Sequence, residues 1–303
     1  MSEGQNTSRT GVRRRERWTA PLLSAFDHDV RFDSSAQAAV DAPEYDRRTE
    51  FRMETEAARK RKAVWLRVGL ACSIVAYGLL HGRPGVDVHV LACSKVLPIL
   101  LMLSLSLLLG NHGAYAMRIA VGLGLSAGGD FCLELESASS SSPHLFEAGL
   151  FAFLCGHCAY ISAFLLNPIN LGPLSAIVPS LYAALVFYVL LPSLPPALFF
   201  PVLAYGIVIT AMMTAAFTRA PEGYAALWSW RGAALGAALF AASDTMLAYS
   251  RFVRPVPYAK ACVLTSYYLA QYCLTMSARG AQKRPLQKAL GSVENFSKCK
   301  RAS

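Results

Sequence analysis

Asp130 and Asp244 each close a run of small residues, Leu125-Ser126-Ala127-Gly128-Gly129-Asp130 and Phe240-Ala241-Ala242-Ser243-Asp244. Both runs, and Lys95, lie within long apolar stretches. An ionisable side chain placed in hydrocarbon costs a few kcal/mol, so each of the three asks for a buried partner or a function. Carboxylates sharing a poorly hydrated pocket raise each other's affinity for protons, so one can hold a proton while the other stays anionic. Such a pair would support acid-base chemistry without a metal, and the small flanking residues leave room for a ligand. A purely structural ion pair is the competing use of the same residues.

Cys155-Gly156-His157-Cys158 has the spacing of a dithiol active site. That chemistry needs an exposed, activated thiolate in a βαβ setting, and here the motif lies inside an apolar helical run. Zinc would need further His or Cys ligands at metal spacing, which the core does not supply, so no metal or other cofactor is expected. The eight cysteines are mostly mid-span and read as small hydrophobes rather than a disulfide framework. A Ser-His-Asp hydrolase would draw on Ser126 or Ser243 with His157. Ser243 and Asp244 are adjacent, however, and so diverge by about 100° on a helix, and no GxSxG elbow occurs. His157 is a candidate for ordering substrate or bonding across helices. Tyr205, Tyr267, Tyr268, Gln271 and Tyr272 add polar tips to otherwise apolar segments.

The elements that must position these groups are legible as hydrophobic runs. Of 303 residues 54% are hydrophobic and 16% charged, and residues 1–62 hold 13 Lys/Arg and 11 Asp/Glu, against 9 and 7 in residues 63–278. A soluble enzyme with one buried core does not distribute charge in this way. Eight segments approach the roughly 20 residues needed to cross a bilayer core: 63–80, 87–109, 114–135, 145–167, 173–191, 196–218, 225–248 and 257–278. Between them lie turn residues such as Gly110-Asn111-His112-Gly113 and Pro195-Pro196. The fold expected is all-α, a polytopic antiparallel bundle of eight transmembrane helices. Residues 1–62 read as a disordered basic cytoplasmic extension with a short helix around Glu50–Lys62, and 279–303 as a basic cytoplasmic tail.

Eight crossings put both termini on one side, and the basic termini assign that side to the cytoplasm, with Arg251 and Arg254 running against the rule. Counted along the segments, Asp130, Asp244, Lys95 and Tyr205 all fall in the outer half, where one polar pocket could collect them. The terminal basic clusters suit an anionic membrane surface better than nucleic acid. Gly232 with Gly236, and the Gly122–Gly129 stripe, read as close helix contacts. The glycine-rich run on the third segment is not a nucleotide fingerprint, because no strand precedes it.

Four segments carry a resemblance to a known family: Lys95-Val96-Leu97-Pro98, Gly122 to Asp130, Phe153 to Ile161 and Leu239 to Asp244. Together, in this order and separation, they are similar to the YhhN-like lysoplasmalogenases, eight-span membrane proteins, over about residues 65–280. Members usually carry Lys-Pro where this chain has Lys95-Val96, with its proline delayed to Pro98. The resemblance implies hydrolysis of the vinyl-ether bond of lysoplasmalogens, giving a fatty aldehyde and glycerophosphocholine or glycerophosphoethanolamine, in the endoplasmic reticulum membrane. It implies Asp130 and Asp244 as catalytic residues and a lysophospholipid substrate within the membrane. It leaves a homo-oligomer open. Lys95, His157, Tyr205, Ser243 and Ser126 are the candidate substrate-binding residues. The rival classes are a small-solute or proton-coupled transporter, which favours inverted repeats and helices broken in mid-membrane, and a noncatalytic lipid-binding protein.

Overall fold

In a computed structural model of the chain, residues 34–81, 83–138, 143–170, 172–220 and 224–279 are described. The expected tail from residue 280, and residues 1–33 of the extension, lie outside them. The chain divides into two units, residues 1–54 and 55–303, and everything that follows about the site concerns the second. Among the described residues there are eight α-helices and no strand: α1 (Ser34–His81), α2 (Val88–Leu109), α3 (Ala114–Ala138), α4 (Pro143–Phe164), α5 (Pro173–Leu190), α6 (Phe199–Phe217), α7 (Tyr224–Phe252) and α8 (Ala259–Ser277).

Local chemistry sets the helix ends. Asp87 caps α2 by accepting from the backbone amides of His89 and Val90 at 2.8 and 3.3 Å. Asn111 and His112 take positive φ in the tight turn to α3, a conformation asparagine tolerates better than most residues. Pro173 opens α5, where a missing amide is harmless. The helix foreseen around Glu50–Lys62 is present but begins earlier, at Ser34, and runs unbroken into the first span. The physical reason is continuity. Alanine-rich and charged residues with good helix propensity extend a helix whose nucleation is already supplied by the spanning segment.

Among the described residues, seven helices are long and apolar enough to cross a membrane, the first of them over Thr49–His81. The exception is α8, which has a similar length but too many polar residues. Tyr267, Tyr268, Gln271, Thr275 and Ser277 on it are all buried among α2, α3 and α7. Its polarity thus faces protein rather than lipid, as a polar group in hydrocarbon must. Large apolar side chains such as Trp65, Phe151, Leu181, Tyr188 and Phe200 are exposed on the outside of the bundle. This inside-out distribution, on helices of spanning length, makes the chain an integral membrane protein.

The small-residue stripes are packing surfaces. A Cβ on Gly122 would lie 2.3 Å from the Tyr160 ring, and one on Gly236 would lie 3.0 Å from the Ala270 carbonyl oxygen. The glycines therefore let α3 close on α4 and α7 close on α8. At the end of the bundle remote from the site, buried Arg219 donates to Tyr115, to the Ser229 carbonyl and to the Ser229 hydroxyl, at 3.0 to 3.2 Å. Both α3 and α7 continue as regular helix through their aspartates, without the mid-membrane breaks expected of a carrier.

Candidate active site

A cavity of about 420 Å³ opens in the half of the bundle formed by the C-terminal turns of α3, α5 and α7 and the N-terminal turns of α4, α6 and α8. Asp130, Asp244, Lys95, Tyr205 and Ser243 all line it. The four residues that segment depth placed in one half of the membrane therefore share one cavity. Its other walls are largely apolar, with Val186, Phe187, Leu190, Val202 and Ile209 among them.

Asp130, on α3, is almost wholly buried. Its Oδ1 lies 3.5 Å from Lys95 Nζ of α2, and its Oδ2 accepts from the Tyr267 hydroxyl of α8 at 2.6 Å. Gln271 Nε2 donates to the Tyr267 oxygen at 3.2 Å, and Tyr160 donates to Gln271 Oε1 at 2.7 Å. A chain of bonds thus holds the carboxylate from behind. Lys95 is shared with a second acid, Glu134, at 3.2 Å. Tyr77 donates to the same Glu134 oxygen, also at 3.2 Å. The lysine is fixed in turn by α8, where Tyr268 donates to its backbone carbonyl.

Asp244, on α7, is in a different setting and keeps 21% of its side chain exposed. Its Oδ2 is 2.5 Å from the Tyr205 hydroxyl of α6, whose oxygen is 2.9 Å from His157 Nε2 of α4. The other imidazole nitrogen meets the Met212 sulfur at 3.1 Å. Beside it Tyr182 links to Thr245 at 2.7 Å. The two networks are divided by Phe240, whose ring stands edge-on to His157 at 4.7 Å and to Tyr267 at 5.3 Å. Each carboxylate therefore has its own hydrogen-bond support, and both face the same space.

Two candidates fall outside that arrangement. Ser126 is buried where α3 meets α4, with its hydroxyl near Gly156, and it does not line the cavity. Ser243 does line it, but its hydroxyl donates to the Val263 carbonyl at 3.0 Å. Neither makes the serine-histidine bond of a hydrolytic triad among the described residues. His157 stands behind Tyr205 rather than on the cavity wall. Residues not anticipated from the sequence are Glu134, Tyr77, Tyr182, Thr245, Met212 and Lys260. Glu134 had a usable signal, since it lies four residues beyond Asp130 and so on the same helix face.

The fold and the site together define an all-helical polytopic membrane protein with an internal, mostly apolar cavity and two separately supported aspartates at its polar wall. The chain belongs to the YhhN family, whose profile matches residues 90–278 and so spans Lys95 and both acids. It is 34% identical over 189 residues to lysoplasmalogenase TMEM86B of Homo sapiens, covering 62% of this chain and 74% of the relative. It is 33% identical over 210 residues to the Rattus norvegicus protein of that name, covering 69% and 81%. Lysoplasmalogenase TMEM86A of Homo sapiens is 34% identical over 168 residues, covering 54% and 65%. No solved structure matches the chain.

Proposed function

We propose that the chain is a lysoplasmalogenase, which hydrolyses the vinyl-ether bond of 1-alkenyl lysophospholipids to a fatty aldehyde and the glycerophospho-alcohol. The observation that carries this reading is the presence of Asp130 and Asp244 on one apolar-walled cavity, each in its own network. Vinyl ethers hydrolyse by proton transfer to the far alkene carbon. The resulting oxocarbenium ion takes up water at the carbon next to oxygen, and the hemiacetal loses a proton and collapses to aldehyde and alcohol. The reaction wants one acid, one anion and a dry site for the chain.

The two settings divide those roles. Asp130 has a lysine counter-ion and a tyrosine donor, which suits it to remain an anion facing the developing cation. Asp244 belongs to a relay that carries a mobile proton. A thioether only accepts hydrogen bonds, so the His157 contact with Met212 puts a hydrogen on Nδ1. With that fixed, two arrangements satisfy every link. In one, Tyr205 donates to Nε2 and a protonated Asp244 donates to Tyr205. In the other, an imidazolium donates to Tyr205, which donates to a carboxylate. Both hold the same number of protons, one more than neutral histidine with ionised Asp244. That surplus proton is the one delivered to the alkene, and water addition returns one to the relay.

Lys95 is spent between two carboxylates, so the phosphate end of the substrate falls to Lys260 and Arg251 at the polar end of the cavity, with the alkenyl chain among Val186, Phe187 and Ile209. Placement in the endoplasmic reticulum membrane, which rests on the family resemblance, and cytoplasmic termini, which the basic terminal segments support, complete the proposal. The test is release of free aldehyde from a lysoplasmalogen by purified, detergent-solubilised protein, with Asp130→Asn and Asp244→Asn alongside. Turnover by wild type and its loss in both folded variants supports the reading. Equal aldehyde from all three removes the acids from the mechanism, and an inert wild type that accumulates solute in proteoliposomes is a transporter.

A further inference from the structure

Glu134 is held in a way that the acid-base chemistry does not require. It lies one helical turn beyond Asp130 on α3, lines the cavity and keeps only 2% of its side chain exposed. Its two oxygens are treated differently. Oε2 takes both the Lys95 ammonium and the Tyr77 hydroxyl at 3.2 Å. Among the described residues Oε1 has no hydrogen-bond partner: the Lys260 ammonium at 3.8 Å supplies charge but stands too far for a bond, and His81 Nδ1, at 3.9 Å, instead faces Lys260 Nζ at 3.5 Å. Leaving a buried carboxylate oxygen without a donor is unfavourable, and native structures keep such atoms mainly where something else fills the need. Lys95 and Tyr77 fix the acid through one oxygen and leave the other, buried at the cavity wall, as an acceptor without a donor.

The ligand read for this cavity brings a matching donor. A lysolipid differs from its diacylated parent by one free hydroxyl at the sn-2 carbon. Five bonds separate that oxygen from the alkene carbon that receives the proton, a reach comparable with the rise of about 6 Å between residues four apart on a helix. A substrate whose vinyl ether lies between Asp130 and Asp244 therefore carries its sn-2 oxygen to the level of Glu134. An sn-2 ester would present only acceptors to the carboxylate and would leave it unsatisfied.

We propose that Glu134 Oε1 accepts the hydrogen bond of the sn-2 hydroxyl and is the residue that restricts this chain to lysolipids. The proposal rests on the lysoplasmalogenase reading, and its test separates the two. A site built to bond a hydroxyl discriminates strongly against an analogue that lacks it. Wild type is therefore expected to cleave a 1-alkenyl lysophosphatidylethanolamine with a kcat/KM about 100-fold or more above that of the 2-deoxy and 2-O-methyl analogues. Glu134→Gln, whose amide can turn a donor toward an ether oxygen, is expected to bring the 2-O-methyl compound within about tenfold of the parent. Wild-type cleavage of the 2-deoxy analogue within about threefold of the parent would overturn the assignment, as would a Glu134→Gln protein with the full wild-type preference. A second measurement needs no turnover: thermal stabilisation of the detergent-solubilised protein by a saturated 1-alkyl lysolipid against its 2-deoxy counterpart. Preference for the hydroxyl compound in wild type and Asp244→Asn, lost in Glu134→Gln, supports the role of Glu134 even if no aldehyde is ever released. Equal stabilisation of wild type by both compounds sinks it.

Discussion

The Tyr205 hydroxyl lies 2.5 Å from Asp244 Oδ2, joining α6 to α7 at the cavity wall and standing between the acid and His157. If the relay supplies the proton, its middle member cannot be removed without cost. Tyr205→Phe keeps the ring and its packing but cuts the path, and its kcat is expected to fall about 100-fold, the lower range for a lost acid-base partner. KM should change little, because the phenol bonds protein rather than substrate. Steady-state aldehyde release, with the unfolding midpoint as a control, checks this. A kcat within threefold of wild type would remove the relay.

Lys95 is the common cation of Asp130 and Glu134, and its side chain is only 9% exposed. Removing one partner from a buried ion cluster leaves unpaired charge, at a typical cost of 3–5 kcal/mol, which is about 3–5 kcal/mol of lost stability expected here. Lys95→Met should therefore lower the thermal midpoint in detergent sharply, whereas Asp130→Asn, which leaves the lysine with Glu134, should lower it less. Equal midpoints for wild type and Lys95→Met would mean that the cluster contributes nothing to stability.

The spans were legible because apolar runs of membrane length are separated by Gly, Pro and Asn turns, and the two acids because each breaks such a run after small residues. Depth along antiparallel segments was enough to bring Lys95, Asp130, Tyr205 and Asp244 together. Rotation about each helix was not. Ser126 and Ser243 share the small-residue runs of the acids, yet the first is buried against α4 and the second bonds the α8 backbone. Glu134 was hidden by its place at the edge of a span, where a carboxylate reads as solvated. Tyr77 and Lys260 lie near the ends of their helices, where a polar residue reads as solvated, and only packing reveals that they face Glu134. Arg251, which opposed the charge rule, is held by Glu136 at 3.0 Å and stacks on Phe146 at 3.8 Å.

The glycines of α3 and α7 are not equivalent. A side chain on Gly236 would meet the Leu274 Cγ at 2.8 Å as well as the Ala270 carbonyl, while one on Gly128 meets nothing within 4 Å. Gly236→Val is expected to cost about 1–3 kcal/mol through overpacking and to reduce turnover, since it pushes on the helix that carries Tyr267. Gly128→Ala should be tolerated, or stabilise by up to about 1 kcal/mol through helix propensity. Unfolding midpoints and aldehyde release from the two proteins make the comparison, and similar losses from both would contradict the packing account.

Lys260 and Lys95 divide the cationic work of the cavity. Lys95 is buried between two acids, whereas Lys260 is about half exposed, and its nearest acidic oxygen is 3.8 Å away. Its contact with His81 Nδ1 is long, at 3.5 Å, so the accessible ammonium can exchange it for a stronger charge-assisted bond to a phosphate. Lys260→Gln should therefore raise KM for a lysophospholipid about tenfold, near the 1.4 kcal/mol lower end for a bond to a charged group, and leave kcat close to wild type. The discriminating substrate is a 1-alkenylglycerol, which keeps the vinyl ether and the sn-2 hydroxyl but has no phosphate. Wild type and Lys260→Gln should handle it alike. If the substitution weakens both substrates equally, Lys260 supports the fold of the cavity instead of reading the headgroup, and the phosphate must be met by Arg251.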